Sequence, residues 1–442
     1  MTACPGKIRV AWCGASSQAG LSPRVWRSLR AVLLVYPLTS FTLGWCRAVL
    51  RPLRCLVWFV GPILVACDTP AAVQTVITDS AGVVIAVTDE RDSRLAWQVH
   101  EALTLGGKEQ GPQSFFVVSR ATVAIGADGR IHVWDGMTHA VHAFDSAGRH
   151  LWSVGREGQG PGEITYGNSI AADEKNRVFV YDGGKGALVV FGSEGELLPQ
   201  VPFPASPIRA RQPHFDVHAR GFVFWRRERY QGSDQRRTEL LWTDDADTAV
   251  LVFTDQPITR TARFPGCPLA LGLPVLGAPL LNWHRAGQRV AVNHVPEYII
   301  EVFDEGRRTL SIRRTIAPEP ITEAEALRHY SSQTEPGPLA GMCRASAREM
   351  VKQLGFAPKH QILTGLAVAP DGSIWARRRD GTGGNLIDVF DPGGRYLGTL
   401  PPSTPFPIAF IDRDRFVFAV SDSLDVQRLV IARLARDRDV QL

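Results

Sequence analysis

Acidic residues are missing from the first 66 positions, which hold eight lysines and arginines and no Asp or Glu. The formal charge of +5 therefore belongs to the N-terminal stretch, because residues 67–442 carry 41 bases against 44 acids. A basic isoelectric point of this origin does not indicate a nucleic-acid surface, and no nucleic-acid partner is expected. Cysteine is scarce beyond the same stretch, where only Cys267 and Cys343 come after Cys67. That frugality fits an exported chain in which the two pair as a disulfide. The N-terminal stretch also lacks an apolar run long enough to cross a bilayer, which takes roughly 20 residues. Catalytic signatures are missing too. There is no H-E-x-x-H, no zinc-type cysteine spacing and no G-x-S-x-G, so neither a metal nor a cofactor is expected. His139 and His142 read as a surface pair or, less simply, as a metal pair.

What the leader does contain is an ordered signal. Arg51 and Arg54 precede an uncharged apolar run from Cys55 to Ala66, the length of a signal-peptide core. Leu64-Val65-Ala66-Cys67 at its end resembles a bacterial lipobox, which implies lipidation of Cys67 and a membrane-anchored, exported protein at the cell envelope. The rival reading is a buried helix with a chance cysteine. Residues 1–66 are long for such a signal; a start at Val49 or Leu50 would give an ordinary leader.

From residue 72 to 440 the chain reads as strands. Runs of Val, Ile, Phe and Trp alternate with turns such as "ADG", "SAG", "SEG" and "PGG". Residues 124–151 align with 171–198 at an offset of 47 without a gap, with ten of 28 positions identical. Weaker copies occupy 221–245, 287–306, 371–394 and 414–434. Six such units predict an all-β fold, a six-bladed β-propeller in which each small sheet hides its neighbours' apolar faces. The strand at 72–88 is the candidate to pair into the last blade and close the ring. "VTDSAGVVI", "ADGRIHVWD", "FDSAGRHL" and "VGREGQGPGE" together resemble the NHL-type six-bladed propeller proteins of bacteria, often lipoproteins. The resemblance implies the fold and an exported location, and little chemistry.

One segment departs from the strand pattern. Residues 318–356 predict a helical insertion between blades four and five. Its first helix opens on the Thr322/Glu325 capping box, and its second runs from Leu339 to Leu354 with Gly355 as its stop.

The nine residues "GREGQGPGE", Gly155 to Glu163, read either as a phosphate cradle or as a connection between blades. No lysine follows the glycines, Pro161 interrupts them and a strand comes next, so the connection is the expected reading, with positive φ at Gly160 and Gly162. Asp128, Asp135, Asp145 and Asp182 sit beside glycines at strand ends, where carboxylates bond turn amides. On the face made by the loops between blades and between second and third strands, the expected ligand groups are Arg156, Glu163, Arg226, Arg227, Arg229, Arg377, Arg378 and Arg379. Guanidinium groups recognise carboxylate and phosphate, which suggests an anionic glycan or peptide. The expected function is a binding or scaffolding module for such a glycan or protein ligand. The alternative is a propeller lyase or lactonase, which needs polar groups in the central channel where binding alone tolerates an apolar or small-residue ring.

Overall fold

The computed structural model describes residues 73–436 apart from 109–110, 115–116, 204–214, 219–220, 230–234, 244–247, 258–261, 265–278, 285–287, 335–343, 383 and 424–425. The leader, Cys67, Cys267 and Cys343 lie outside the described residues.

Six antiparallel sheets follow one another along the chain. Blade one runs from its first strand, Val123–Ile125, to its fourth, His150–Val154. Blade two spans Gly167–Ala172 to Leu197–Pro202, and blade three Phe215–His218 to Thr248–Pro257. Blade four spans Leu280–His284 to Arg307–Arg314, and blade five Leu363–Val368 to Tyr396–Leu400. Blade six has three strands from Ala409–Phe410 to Gln427–Ala435 and takes its fourth, Gln98–Gly106, from the N-terminal side.

The 47-residue repeat is visible in the register. In blade one Asp135 pairs with Ala140 and Ile131 with Phe144; in blade two Asp182 pairs with Ala187 and Val178 with Phe191. The middle strands Ile131–Asp135 and Ala140–Phe144 are buried on both faces, which is why they read as continuous apolar runs. Their turns share a device. Asp145, Asp173 and Asp391 each accept the amide four residues on, from Arg149, Arg177 and Arg395. The residue just before each arginine, Gly148, Asn176 or Gly394, has positive φ, a conformation Gly and Asn adopt at least cost.

Each seam between neighbouring blades has its own apolar cluster. Val141 of blade one and Val180 of blade two share one, Tyr181 and Phe224 the next, Val223 and Val290 the third. Ile300 and Phe390 join blades four and five, Trp375 and Phe418 five and six, and Val417 and Val133 six and one. Six seams for six sheets close a ring, and the fold is a six-bladed β-propeller. Burying one such side chain contributes about 1.5–3 kcal/mol.

The closing strand differs from the sequence expectation. Residues 72–88 do not enter the last blade. Thr75–Ser80 and Val83–Thr88 form a hairpin about Ala81 and Gly82, at φ 54° and 80°. Its second strand lies parallel to Arg307–Arg314 on the outer edge of blade four. The chain then passes blade five, where Leu95 N donates to Thr399 O and Thr399 N to Ser93 O, before reaching blade six. One segment thus straps three blades from outside. Gln98–Gly106 closes the last blade instead, and a pairing more than 300 residues away leaves no local trace in the sequence.

Between blades four and five lie two helices, α1 (Glu323–Thr334) and α2 (Ala347–Leu354). The Thr322/Glu325 capping box is formed. The second helix starts later than Leu339, because Ser346 is its extended N-cap and makes a second capping box with Glu349. Tyr330, Met350 and Leu354 pack on Phe264 from the connection between blades three and four.

Candidate functional site

The loops between blades and the turns between second and third strands gather at one end of the sheets, as antiparallel order requires. His139 bonds the Ile164 carbonyl at 3.0 Å and Gly183 N donates to Tyr166 O at 2.9 Å, so the two kinds of loop are stitched together. "GREGQGPGE" spends its amides on itself. Ile164 N donates to Arg156 O, Gly158 N to Ile164 O, Glu163 N to Gly160 O and Gly160 N to the Glu163 carboxylate. Lys185 of blade two donates to the carbonyls of Gly160 and Glu163, at 2.9 and 2.7 Å. The buried Asp182 carboxylate receives the amides of Thr165, Tyr166 and Gly184. Gly162 has φ 74°, but Gly160 is not among the positive-φ residues. What Gly160 supplies is space, since a Cβ there would stand 2.9 Å from Glu163 Oε2.

Arg156 and Glu163 are brought together as a pair, 2.7 Å apart, with Arg156 largely exposed. The Gly160 amide and the Arg156 guanidinium hold the Glu163 carboxyl below its ordinary pKa. The other arginines are not in loops as expected. Arg226, Arg227 and Arg229 lie in the strand Gly221–Arg229, where Arg226 is in register with Glu239. Arg377, Arg378 and Arg379 lie in the strand Ile374–Arg379, and alternation sends adjacent side chains to opposite faces. Arg377 bonds the Thr364 carbonyl and stacks on Phe406, and burial lowers its pKa. Arg379 is exposed.

Arg378 is buried and committed. Its Nε donates to Asp388 at 2.8 Å and its Nη2 to both oxygens of Asp92 at 2.6 Å. Arg314 of blade four reaches the same Asp388 oxygen at 2.8 Å, stacks 4.6 Å from the Tyr396 ring, and donates to the carbonyls of Asp89 and Arg91 in the strap. Tyr298 and Thr399 hydroxyls complete the Asp388 carboxylate. Burial opposes the charge on Arg314 and on Arg378, and Asp388 overcomes it, so both pKa values rise. This cluster staples blade four, blade five and the strap, and its guanidinium groups are engaged within it. The signal for it was an acid inside an apolar strand, Asp388 in "LIDVF".

The first strands of all six blades enclose a cavity of about 190 Å³, walled in turn by Ala124, Ala171, Val217, Trp283, Val368 and Ala409. Small and apolar residues are in the majority along this wall, with Asp173, Glu174 and His284 also lining it. Asn282 also lines it, but its amide braces blade four to blade five, donating to Leu366 O at 2.7 Å and accepting from Val368 N at 3.0 Å. Asp216 accepts the Val217 amide. Sequence reasoning missed Arg120, which lines the cavity and donates to Trp283 O at 3.3 Å. Among the described residues no group of three or more His, Cys, Asp and Glu side chains is arranged to hold a metal.

Residues 113–260 match the sequence model of a family described as a six-bladed β-propeller, DUF5128. No curated protein matches the chain. Among solved structures, a Bacteroides fragilis protein described as exported is 12% identical, covering 80% of this chain and 100% of its own, with a TM-score of 0.46. A member of the DUF4221 family from Bacteroides vulgatus is 9% identical over 77% of this chain and 99% of its own, at 0.45. A catalytically inactive virginiamycin B lyase from Staphylococcus aureus, solved with quinupristin, is 11% identical over 76% and 88%, at 0.32.

Proposed function

We propose that the chain is an exported binding module, held at the cell envelope by a lipid on Cys67, and that its ligand is anionic. The observation that supports the binding reading is the channel wall, where small and apolar side chains are in the majority and Asn282 is tied into bracing the ring, while Asp173, Glu174, Asp216 and His284 are the acid and base groups that also line it. A lyase or lactonase would need acid or base groups disposed toward a substrate there. The lipid anchor draws its support from the basic, apolar, lipobox order that ends at Cys67. Cell fractionation tests the anchor. Cys67→Ser should move the protein from the membrane to the soluble fraction, and retention of the variant in membranes without detergent would overturn that part of the reading.

A further inference from the structure

Two imidazoles converge on one hydroxyl at the outer edge of blade one. His142 Nδ1 lies 2.8 Å from Ser153 Oγ, and His150 Nε2 lies 2.7 Å from the same atom. His142 stands on the third strand, in register with Ser153 of the fourth. His150 and Ser153 are three positions apart, which on a regular strand would send them to opposite faces. The register shift between Ala143 and Phe144 admits Leu151 as an extra residue and returns His150 to the Ser153 side. The His150 ring is set edge-on to Phe144 at 5.7 Å, and His142 is buried, whereas His150 and Ser153 are exposed. Solvent therefore reaches the point on which the two nitrogens converge. His139 takes no part, because it bonds the Ile164 carbonyl and meets the Trp134 ring.

The hairpin does not need these rings to form. At the 47-residue offset His142 and His150 become Val189 and Leu197, and blade two pairs its third and fourth strands without them. A hydroxyl has one proton, so Ser153 donates to one ring and accepts from the other. What the arrangement supplies beyond that is two imidazole nitrogens aimed at one place, and imidazole suits nickel, copper and zinc ions. Such an ion sits about 2.0–2.1 Å from nitrogen, so once the small serine side chain turns aside each ring has to close by only about 0.7 Å. Both nitrogens must then present lone pairs, which the exposed His150 reaches by moving its proton to Nδ1 through water. Asp135, whose field reaches His142, is spent on the Met137 amide and the Thr138 hydroxyl. Arg149, beside His150, is held against Asp145, which offsets its charge.

We infer that His142 and His150 bind one divalent cation of the nickel, copper and zinc group in place of the Ser153 hydroxyl, with water in its remaining positions. With two protein ligands the ion is exchangeable. This site stands apart from the channel and from the lipid anchor, and its test bears on neither. Calorimetric titration of the full chain with Ni²⁺ tests it. Ni²⁺ should bind saturably, Zn²⁺ should compete for the same site, and Mg²⁺ should not. His150→Ala, at an exposed position, should weaken that binding by about tenfold or more, since even the loss of a metal ligand's outer partner costs about that much. His142→Ala should do the same. Ser153→Ala should bind at least as tightly as the parent, because the hydroxyl to be displaced is gone. One equivalent of Cu²⁺ should show two imidazole nitrogens in its electron paramagnetic resonance spectrum, and fewer in His150→Ala. No saturable Ni²⁺ binding, or unchanged affinity in His150→Ala, would overturn the inference, as would a Ser153→Ala protein that no longer binds. Should circular dichroism show His142→Ala unfolded, His150→Ala and the copper spectrum decide: the same nitrogen pattern in parent and variant also overturns it.

Discussion

Blades one and two meet over hydrocarbon and one buried imidazole, whereas blades four and five meet over hydrocarbon and a cluster of charges. In the first seam Trp134, Val141, Ile170 and Val189 pack together, and the neighbouring His132 stacks on Trp152 at 5.6 Å. In the second, Ile300, Ile312, Ile374 and Phe390 do the packing, and the Asp388 cluster sits beside them. The difference lies in what each seam must hold. The first joins two copies of one unit, so complementary apolar faces suffice. The second also fixes the strap, whose residues 89–93 give Arg314 and Arg378 two carbonyls and a carboxylate.

The sharpest way to break this contrast is to remove the shared carboxylate. Asp388→Ala leaves Arg314 and Arg378 buried with only the half-exposed Asp92 between them. Losing one partner of a buried ionic cluster costs about 3–5 kcal/mol, which urea denaturation should register as a large fall in midpoint. Asp92→Ala should cost clearly less, because that carboxylate keeps 42% of its side-chain exposure. Equal losses would show that the strap, not the blade seam, depends on the cluster.

The first seam should instead respond to acid. Burial pulls the His132 pKa from 6.5 down to about 4, with Arg130 adding to the fall and Asp128 opposing it. Between those values the unfolded chain binds a proton that the folded chain refuses. Stability is therefore full above pH 6.5 and falls as the pH drops toward 4, with a loss of about 2 kcal/mol between pH 8 and pH 5. His132→Phe should remove that share of the acid sensitivity in paired denaturation curves at the two pH values. Parallel pH profiles for the variant and the parent would show that His132 is solvated.

The two seams also differ in how much of them was legible. Blades one and two repeat without a gap, so Asp135/Asp182 and Phe144/Phe191 stand in equivalent places, and the hairpin register follows from the alignment. The strap could not be read this way, because the pairing of Gln98–Gly106 with Gln427–Ala435 joins segments more than 300 residues apart and belongs to no repeat. The arginines misled for a related reason. "ARRR" resembles a loop by composition, yet its register with Asn385–Phe390 makes it strand, and the charge of Arg378 is offset by Asp388 ten residues on and by Asp92 of the strap. Arg120 carried no signal, since its importance comes from the ring that closes around it.

A smaller effect separates two glycines of the loop joining the first seam's blades. Gly162→Val places a β-branched residue at φ 74°, a strain of roughly 1 kcal/mol or more. Gly160→Val meets only the carboxylate end of Glu163, which can rotate away at the expense of its bond to the Gly160 amide. Thermal melts should rank Gly162→Val as the more damaging of the two. The reverse order would mean that the Glu163 brace matters more than the left-handed turn.

The smallest effect belongs to the most conspicuous ion pair on the loop face. Arg156 and Glu163 touch at 2.7 Å, but Arg156 keeps 79% of its side-chain exposure, and exposed pairs are screened by water and salt. Glu163 has a second task in holding the Gly160 amide, whereas Arg156 has only its exposed guanidinium to lose. Arg156→Ala should therefore leave the melting temperature unchanged within error, and Glu163→Ala should lower it measurably. The double variant separates the two roles. If it melts with Glu163→Ala alone, the guanidinium adds nothing to the loop and is left for solvent or a ligand. If Arg156→Ala by itself destabilises as much as Glu163→Ala, the pair is structural, and among the expected ligand arginines whose side chains are described the exposed Arg379 is the one left to meet an anion.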